Sequence, residues 1–136
     1  MEEYNINFNG YWIEDKISGI PTTSGIYLVY RCVHAEGGVI LKEIIYIGQA
    51  KNLHDRINNH DKKDLFKKVC EKGETVCYSV AEVAPGSLDI VENALIFAQK
   101  PRLNTEDKDR FRFNVPVSFI VEGRCKLLEY QNFTIK

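Results

Sequence analysis

Two runs rich in β-branched and aromatic residues flank Ala35-Glu36-Gly37-Gly38: Ile26-Tyr27-Leu28-Val29-Tyr30-Arg31 before it, and Val39-Ile40-Leu41 with Ile44-Ile45-Tyr46-Ile47 after it. Such side chains suit a pleated, half-buried surface and the glycines permit reversal, so the stretch is constrained to two antiparallel strands joined by a somewhat long hairpin. Val76-Cys77-Tyr78-Ser79-Val80-Ala81-Glu82-Val83 supplies a third strand. Between them, Gly48 and Asn52 end the second strand and open a helix, with Asn52 as its cap and Leu53 and Ile57 four apart on one face. A further helical piece runs roughly over residues 64–72 on an apolar stripe of Leu65, Phe66, Val69 and Cys70, closed by Gly73. After the turn Pro85-Gly86-Ser87, with Ser87 capping, Leu88 to Ala98 is a strongly apolar helix that requires burial against the sheet, and Pro101 stops it.

The remaining segments read as additions. Residues 1–20 hold few apolar positions in register apart from Ile6, Phe8, Tyr11, Trp12 and Ile13, and are expected to be an N-terminal extension. Residues 115–121 and 125–130, around Glu122-Gly123-Arg124, are expected to form a C-terminal hairpin packed on the same domain. A chain of 136 residues suffices for one hydrophobic core. The expected organisation is an extension over 1–20, a body over 21–109 and the hairpin over 110–136. The order β-β-α-(α)-β-α describes a small α/β fold, a mainly antiparallel central sheet flanked by helices. It contains no Gly-rich phosphate loop and no dinucleotide fingerprint, so no organic cofactor is expected.

Composition narrows the function classes. With 44% apolar and 27% charged residues and no long apolar run, the chain is expected to work away from membranes. The acidic start, Met1-Glu2-Glu3, lacks the basic and apolar regions of a secretory signal, so the expected location is cytoplasmic. Cys32, Cys70, Cys77 and Cys125 are scattered without a C-x-x-C pair, which argues for free thiols rather than a zinc cluster. Net charge is −1, yet the average conceals an asymmetry. Lys51, Arg56, Lys62, Lys63, Lys67, Lys68 and Lys72 outnumber the acids around them, and Lys100, Arg102, Lys108, Arg110 and Arg112 follow later, whereas the first twenty residues are acidic. One side of the protein can therefore face phosphate.

Gly25-Ile26-Tyr27 heads the first strand of the hairpin and Tyr46-Ile47-Gly48 ends the second. Asn52-Leu53 and Arg56 follow, then His60, then Glu92 in the apolar helix, with Pro101 and Asn104 just past its end. Together these positions, over about residues 21–105, resemble the GIY-YIG nuclease family. The resemblance implies divalent-metal-dependent hydrolysis of a DNA phosphodiester, with Mg²⁺ or Mn²⁺ on a single protein carboxylate.

The residues are consistent with that chemistry. A phosphodiester anion resists attack, so hydrolysis needs a cation on its oxygens, a route to hydroxide and a stabilised leaving oxygen. Glu92, beside the apolar Leu88, Leu95 and Ile96, is the expected metal ligand. Arg56 is expected to clamp phosphate with its planar fork. Tyr27 is expected beside the attacking water with His60, one helical turn after Arg56, as its proton acceptor, and Tyr46 as a phosphate or water ligand; the two tyrosines could exchange roles. Asn104 is expected to tie the chain back to the site. Gly48 admits close approach, and Lys51, Lys62, Lys63 and Lys67 are candidate DNA contacts. Extra residues from Val33 to Glu43 lengthen the hairpin, and no separate DNA-binding module is expected after the catalytic body. Double-strand cleavage would therefore favour a homodimer, and a catalytically silent DNA-binding module or a subunit needing a partner are the alternative readings.

Overall fold

The computed structural model describes all residues, Met1–Lys136. Along the chain lie β1 (Glu2–Ile13), β2 (Gly25–Ala35), β3 (Gly38–Ala50), α1 (Leu53–Asn58), α2 (Lys63–Lys68), β4 (Thr75–Glu82), α3 (Leu88–Gln99), β5 (Val117–Gly123) and β6 (Asn132–Ile135). The strands make one six-stranded sheet in the order β3-β2-β4-β1-β5-β6. Only the β1–β5 pairing is parallel; the other four pairings are antiparallel. The fold is thus α/β, a mainly antiparallel sheet with helices on both faces.

Alternation on β2 and β3 divides the interior in two, with a bulge at Ile45, between the pairs Val29–Tyr46 and Tyr30–Ile44, shifting its phase along β3. Ile26, Leu28, Tyr30 and Ile47 pack with Val91, Leu95 and Ile96 of α3. Tyr27, Val29 and Ile45 pack on the opposite face with Leu53 and Ile57 of α1 and Phe66 of α2. Burying such side chains supplies roughly 1.5–3 kcal/mol each, the main force holding three short helices to the sheet.

Three expectations need correction. The segment over 1–20 is no extension: β1 is an interior strand between β4 and β5. Ile6 and Phe8 point into the core while Asn5, Asn7 and Asn9 alternate outward, a period of two half hidden by poor strand formers. The β2–β3 hairpin is not a long loop either. Ala35 pairs with Gly38 across a two-residue turn at Glu36-Gly37, and Gly37 has the positive φ of +83° that such a turn demands. Residues 33–43 therefore lengthen the strands. In the C-terminal hairpin, β5 pairs with β6 through Phe119–Phe133 and Val117–Ile135, not with residues 125–130. Those residues form a loop instead, because Cys125 and Leu128 are buried in the core and the Tyr30 hydroxyl donates to the Lys126 carbonyl at 2.7 Å.

Helix α2 is also shorter than expected, ending at Lys68 with Phe66 alone fully buried, whereas α3 runs as expected from Leu88 to Gln99. Ser87 precedes α3 but its side chain makes no capping hydrogen bond. Asn52 does cap α1, accepting from the Asp55 N–H at 3.0 Å. No helix is long and apolar enough to cross a membrane, and all four cysteines are free.

Candidate active site

The two tripeptides meet because β2 and β3 pair in a register that sets Tyr27 opposite Gly48. Strand β2 lies in the sheet interior, where a Cβ on Gly25 would run into the Ala81 carbonyl and the Leu53 side chain. The Tyr27 ring lies across Gly48, and a Cβ there would collide with its Cζ and hydroxyl. Glycine at position 48 is thus what gives the tyrosine its place.

Tyr27 is 1% exposed, and its hydroxyl lies 2.7 Å from His60 Nε2. The Tyr46 ring stands 6.3 Å from that of Tyr27 and meets the same imidazole edge-on at 5.6 Å. Phe66 of α2 backs both Tyr46 and His60, at 5.4 and 5.0 Å. His60 is not on the helix that carries Arg56, as expected from their spacing, because α1 ends at Asn58. A bend after α1 buries it, with the Lys62 backbone N–H donating to Nδ1 at 3.0 Å. Burial, and then the charge of Arg56, push the His60 pKa down to about 4, so the ring is neutral. A neutral imidazole whose Nδ1 accepts carries its proton on Nε2 and donates it to Tyr27. The expected transfer from Tyr27 to His60 needs a lone pair that this tautomer does not offer.

Arg56 on α1 is half exposed and pairs with the exposed Asp61 at 3.0 Å. Burial, and then Tyr46, hold the Tyr27 phenol well above its ordinary pKa, while Arg56 works in the opposite direction. Tyr46 is raised by burial and then by the charge of Glu92. That glutamate approaches from α3, on the other face of the sheet. Its Oε1 accepts from the Gln49 amide at 2.9 Å, and the same amide donates to Asp89 at 2.8 Å. Burial first, then Asp107 and Asp89, push the Glu92 carboxyl up, against Arg112. Glu92 lines an open cleft of about 520 Å³ with residues 105–110 and Arg112. No group of three or more His, Cys, Asp or Glu side chains converges anywhere, so a cation site here would rest on Glu92, with Asp89 the carboxylate across the shared Gln49 amide.

Asn104 is buried and clasps both backbone groups of Ile47: its Oδ1 accepts from the N–H at 3.0 Å and its Nδ2 donates to the carbonyl at 2.9 Å. The middle residue of the second tripeptide is thereby tied to the loop after α3. Among the candidate DNA contacts, Lys51 and Lys67 are exposed and Lys62 half-buried, but Lys63 is occupied by Glu14 at 3.1 Å. Gln49 was missed from sequence; its only signal is its place directly after Gly48, where alternation turns it toward α3.

Among curated proteins, the chain is 35% identical over 97 residues to the UvrABC system protein C of Koribacter versatilis, covering 68% of this chain and 14% of that one. The protein of the same name from Rickettsia bellii is 32% identical over 100 residues, 71% of this chain and 14% of the relative. That of Rickettsia canadensis is 28% identical over 124 residues, 90% of this chain and 18% of the relative. The chain thus spans less than a fifth of the length of these relatives. No solved structure matches it. A family model for the GIY-YIG catalytic domain matches residues 24–106, from the turn before Gly25 to just past Asn104. With that match covering more than half the chain and both tripeptides set side by side in the sheet, the protein belongs to the GIY-YIG nuclease family.

Proposed function

We propose that this chain is a divalent-metal-dependent DNA endonuclease that hydrolyses a phosphodiester beside Tyr27. The observation that carries the reading is the cluster in which Tyr27 meets a neutral His60 at 2.7 Å, Tyr46 packs on the same ring, and Arg56 is close enough to lower the Tyr27 pKa. Arg56 can exchange its solvent-exposed partner Asp61 for two phosphoryl oxygens, since water screens an exposed pair and leaves it little to lose. Tyr27 stands beside the attacking water. Tyr27 first gives its own proton to solvent, the His60 Nε2–H and the Arg56 guanidinium stabilise the resulting phenolate, and that phenolate takes the water's proton as the water attacks phosphorus. Burial opposes that charge, so the reactive phenolate is a minor species at neutral pH. Tyr46 holds phosphate or water, and Gly48, Lys51, Lys62 and Lys67 border the path of the DNA.

Glu92 fits a hard divalent ion, Mg²⁺ or Mn²⁺. Its carboxylate is half-buried, its hydrogen-bond partner is the Gln49 amide rather than a cation, and neighbouring carboxylates raise its pKa further. Such an oxygen site is stabilised by positive charge. An ion held there supplies Lewis-acid charge to the phosphate oxygens.

The test is a panel of supercoiled, linear, single-stranded and branched DNA, with Mg²⁺ or Mn²⁺ and with chelator. Glu92→Gln and Arg56→Ala should each remove cleavage by at least ~100-fold while leaving the urea midpoint nearly unchanged. A wild-type protein that cuts none of these forms with either ion overturns the reading. A second reading has one observation behind it: the chain carries net charge −1, which suits a subunit that borrows DNA affinity from a partner. Weak DNA binding and no cleavage by the chain alone would select it.

A further inference from the structure

We infer that the loop from Thr105 to Phe113 is a binding subsite for an unpaired stretch of the DNA beside the cut, with Arg110 on its phosphate and Phe111 and Phe113 under its bases. The inference rests on the endonuclease reading for its choice of ligand and deepens it to a substrate class.

The Glu92 cleft does not end at the carboxylate. A second open cleft, about 480 Å³, is lined by Phe97, Phe111, Phe113 and Ile135, and it shares Asp109 and Arg110 with the first. A strand leaving Glu92 therefore crosses Arg110 and enters an aromatic groove. Phe111 and Phe113 are half-buried with ring centroids 5.6 Å apart, each resting on the core while part of it stays open to solvent. Cations are interleaved with the rings: Arg112 lies 5.5 Å over Phe113, and Lys100 lies 4.5 Å over Phe97. Arg112 is already bound to Asp107 at 2.9 Å, which leaves Arg110, exposed at the junction, as the cation for a phosphate.

The loop lacks regular secondary structure but is held in place. Asn93, the residue after Glu92 on α3, is 0% exposed; its Nδ2 donates to the Arg110 carbonyl at 2.9 Å and its Oδ1 accepts from the Arg112 N–H at 2.8 Å. One buried amide thus fixes the backbone on both sides of Phe111 and sets the aromatic platform at a constant offset from Glu92. A binding surface gains from such preorganisation because little is left to order on association.

The occupant follows from the chemistry of the lining. A duplex keeps its base faces stacked inside, so flat rings in a groove can stack only on unpaired bases. Charge does not decide the preference, because Glu106, Asp107 and Asp109 balance Lys108, Arg110 and Arg112 within the loop. Stacking should therefore dominate, and a preference for unpaired DNA should persist as salt is raised.

The experiment is fluorescence anisotropy in chelator, where nothing is cut, with a labelled blunt duplex and the same duplex bearing a single-stranded tail. Wild type should bind the tailed DNA about tenfold more tightly. Phe111→Leu with Phe113→Leu keeps apolar packing and removes the flat faces, and should bring the ratio close to one without weakening blunt-duplex binding. Should that variant unfold on a urea melt, the exposed Arg110→Ala serves in its place and should weaken tailed binding several-fold. Equal affinity of wild type for the two DNAs, or a preference unchanged in folded variants, overturns the inference. Cleavage of blunt duplex by a protein without the preference would sink the subsite and keep the endonuclease; preference for tailed DNA without any cleavage would do the reverse.

Discussion

Gly48→Ala is the smallest change that should dismantle the site, because the added methyl occupies space already filled by the Tyr27 ring. A new Cβ would lie well inside contact distance of Cζ and the hydroxyl, so the ring or the strand must retreat by roughly 1 Å to restore ordinary van der Waals spacing. Tyr27 is buried between β3, β4 and α1 and has no open side to move into. Overpacking of this kind costs about 1–3 kcal/mol. Separation of Tyr27 from His60 Nε2, now 2.7 Å away, adds a buried polar group left unpaired, worth another ~1–3 kcal/mol. A displacement of that size at reacting groups also costs about 100-fold in rate. Urea melts and single-turnover cleavage on the same preparations measure both effects. Gly86→Ala is the control, since a Cβ there meets nothing within 4 Å. If Gly48→Ala unfolds at the wild-type midpoint and cuts at the wild-type rate, the placement of Tyr27 against position 48 is wrong.

Three more outcomes follow from the same geometry. His60 has a folded pKa of about 4 against an ordinary 6.5, so the unfolded chain binds the extra proton between those values; stability should fall as the pH drops through that window, by about 1.4 kcal/mol for each pH unit crossed, and His60→Asn should flatten the slope. A urea midpoint independent of pH there would contradict a buried neutral imidazole. Because the Tyr27 pKa lies above its ordinary value, cleavage should rise about tenfold per pH unit through neutral pH and beyond; a plateau from pH ~6 would instead restore His60 as the proton acceptor. Gln49→Leu removes the amide shared by Asp89 and Glu92 and should raise the metal concentration needed for half-maximal cleavage about 10- to 100-fold, an effect absent if Glu92 is held by packing alone.

What could be read in the sequence was local. The β2–β3 pair, the Asn52 cap and the apolar α3 each announce themselves within a dozen residues through alternation, capping or helical period. Partners far along the chain were illegible. β1 carries its strand signal as Ile6 and Phe8 among asparagines, but only pairing with β4 and β5 makes it an interior strand. Lys63 looked like a phosphate contact until folding brought up Glu14, 49 residues earlier. His60 was singled out by a helical spacing that the structure does not use: two weak helix formers, Asn58 and Asn59, end α1, and a backbone N–H from Lys62 then fixes the ring. The structure sets His60 against Tyr27 by a different geometry, and the direction of its hydrogen bond was beyond reach until Nδ1 had a partner.

Strand alternation also explains why one tripeptide cannot make this site. On β3, Tyr46 packs with the face that holds α1 and α2, and Gly48 lies under Tyr27 on that same face, whereas Ile47 and Gln49 serve the face of α3. The phenols, imidazole and guanidinium are therefore fixed by one hydrophobic core and the carboxylate by the other, with four consecutive residues of β3 connecting them. Asn104 clasps Ile47 at the middle of that connection. A one-residue slip of β3 would reverse every one of these assignments, bringing Gln49 toward His60 and Tyr46 toward α3. The constraint that matters is thus the register of β3 against β2, and the buried Ile45 and Ile47, sent to opposite cores by the bulge at Ile45, are the side chains that hold it.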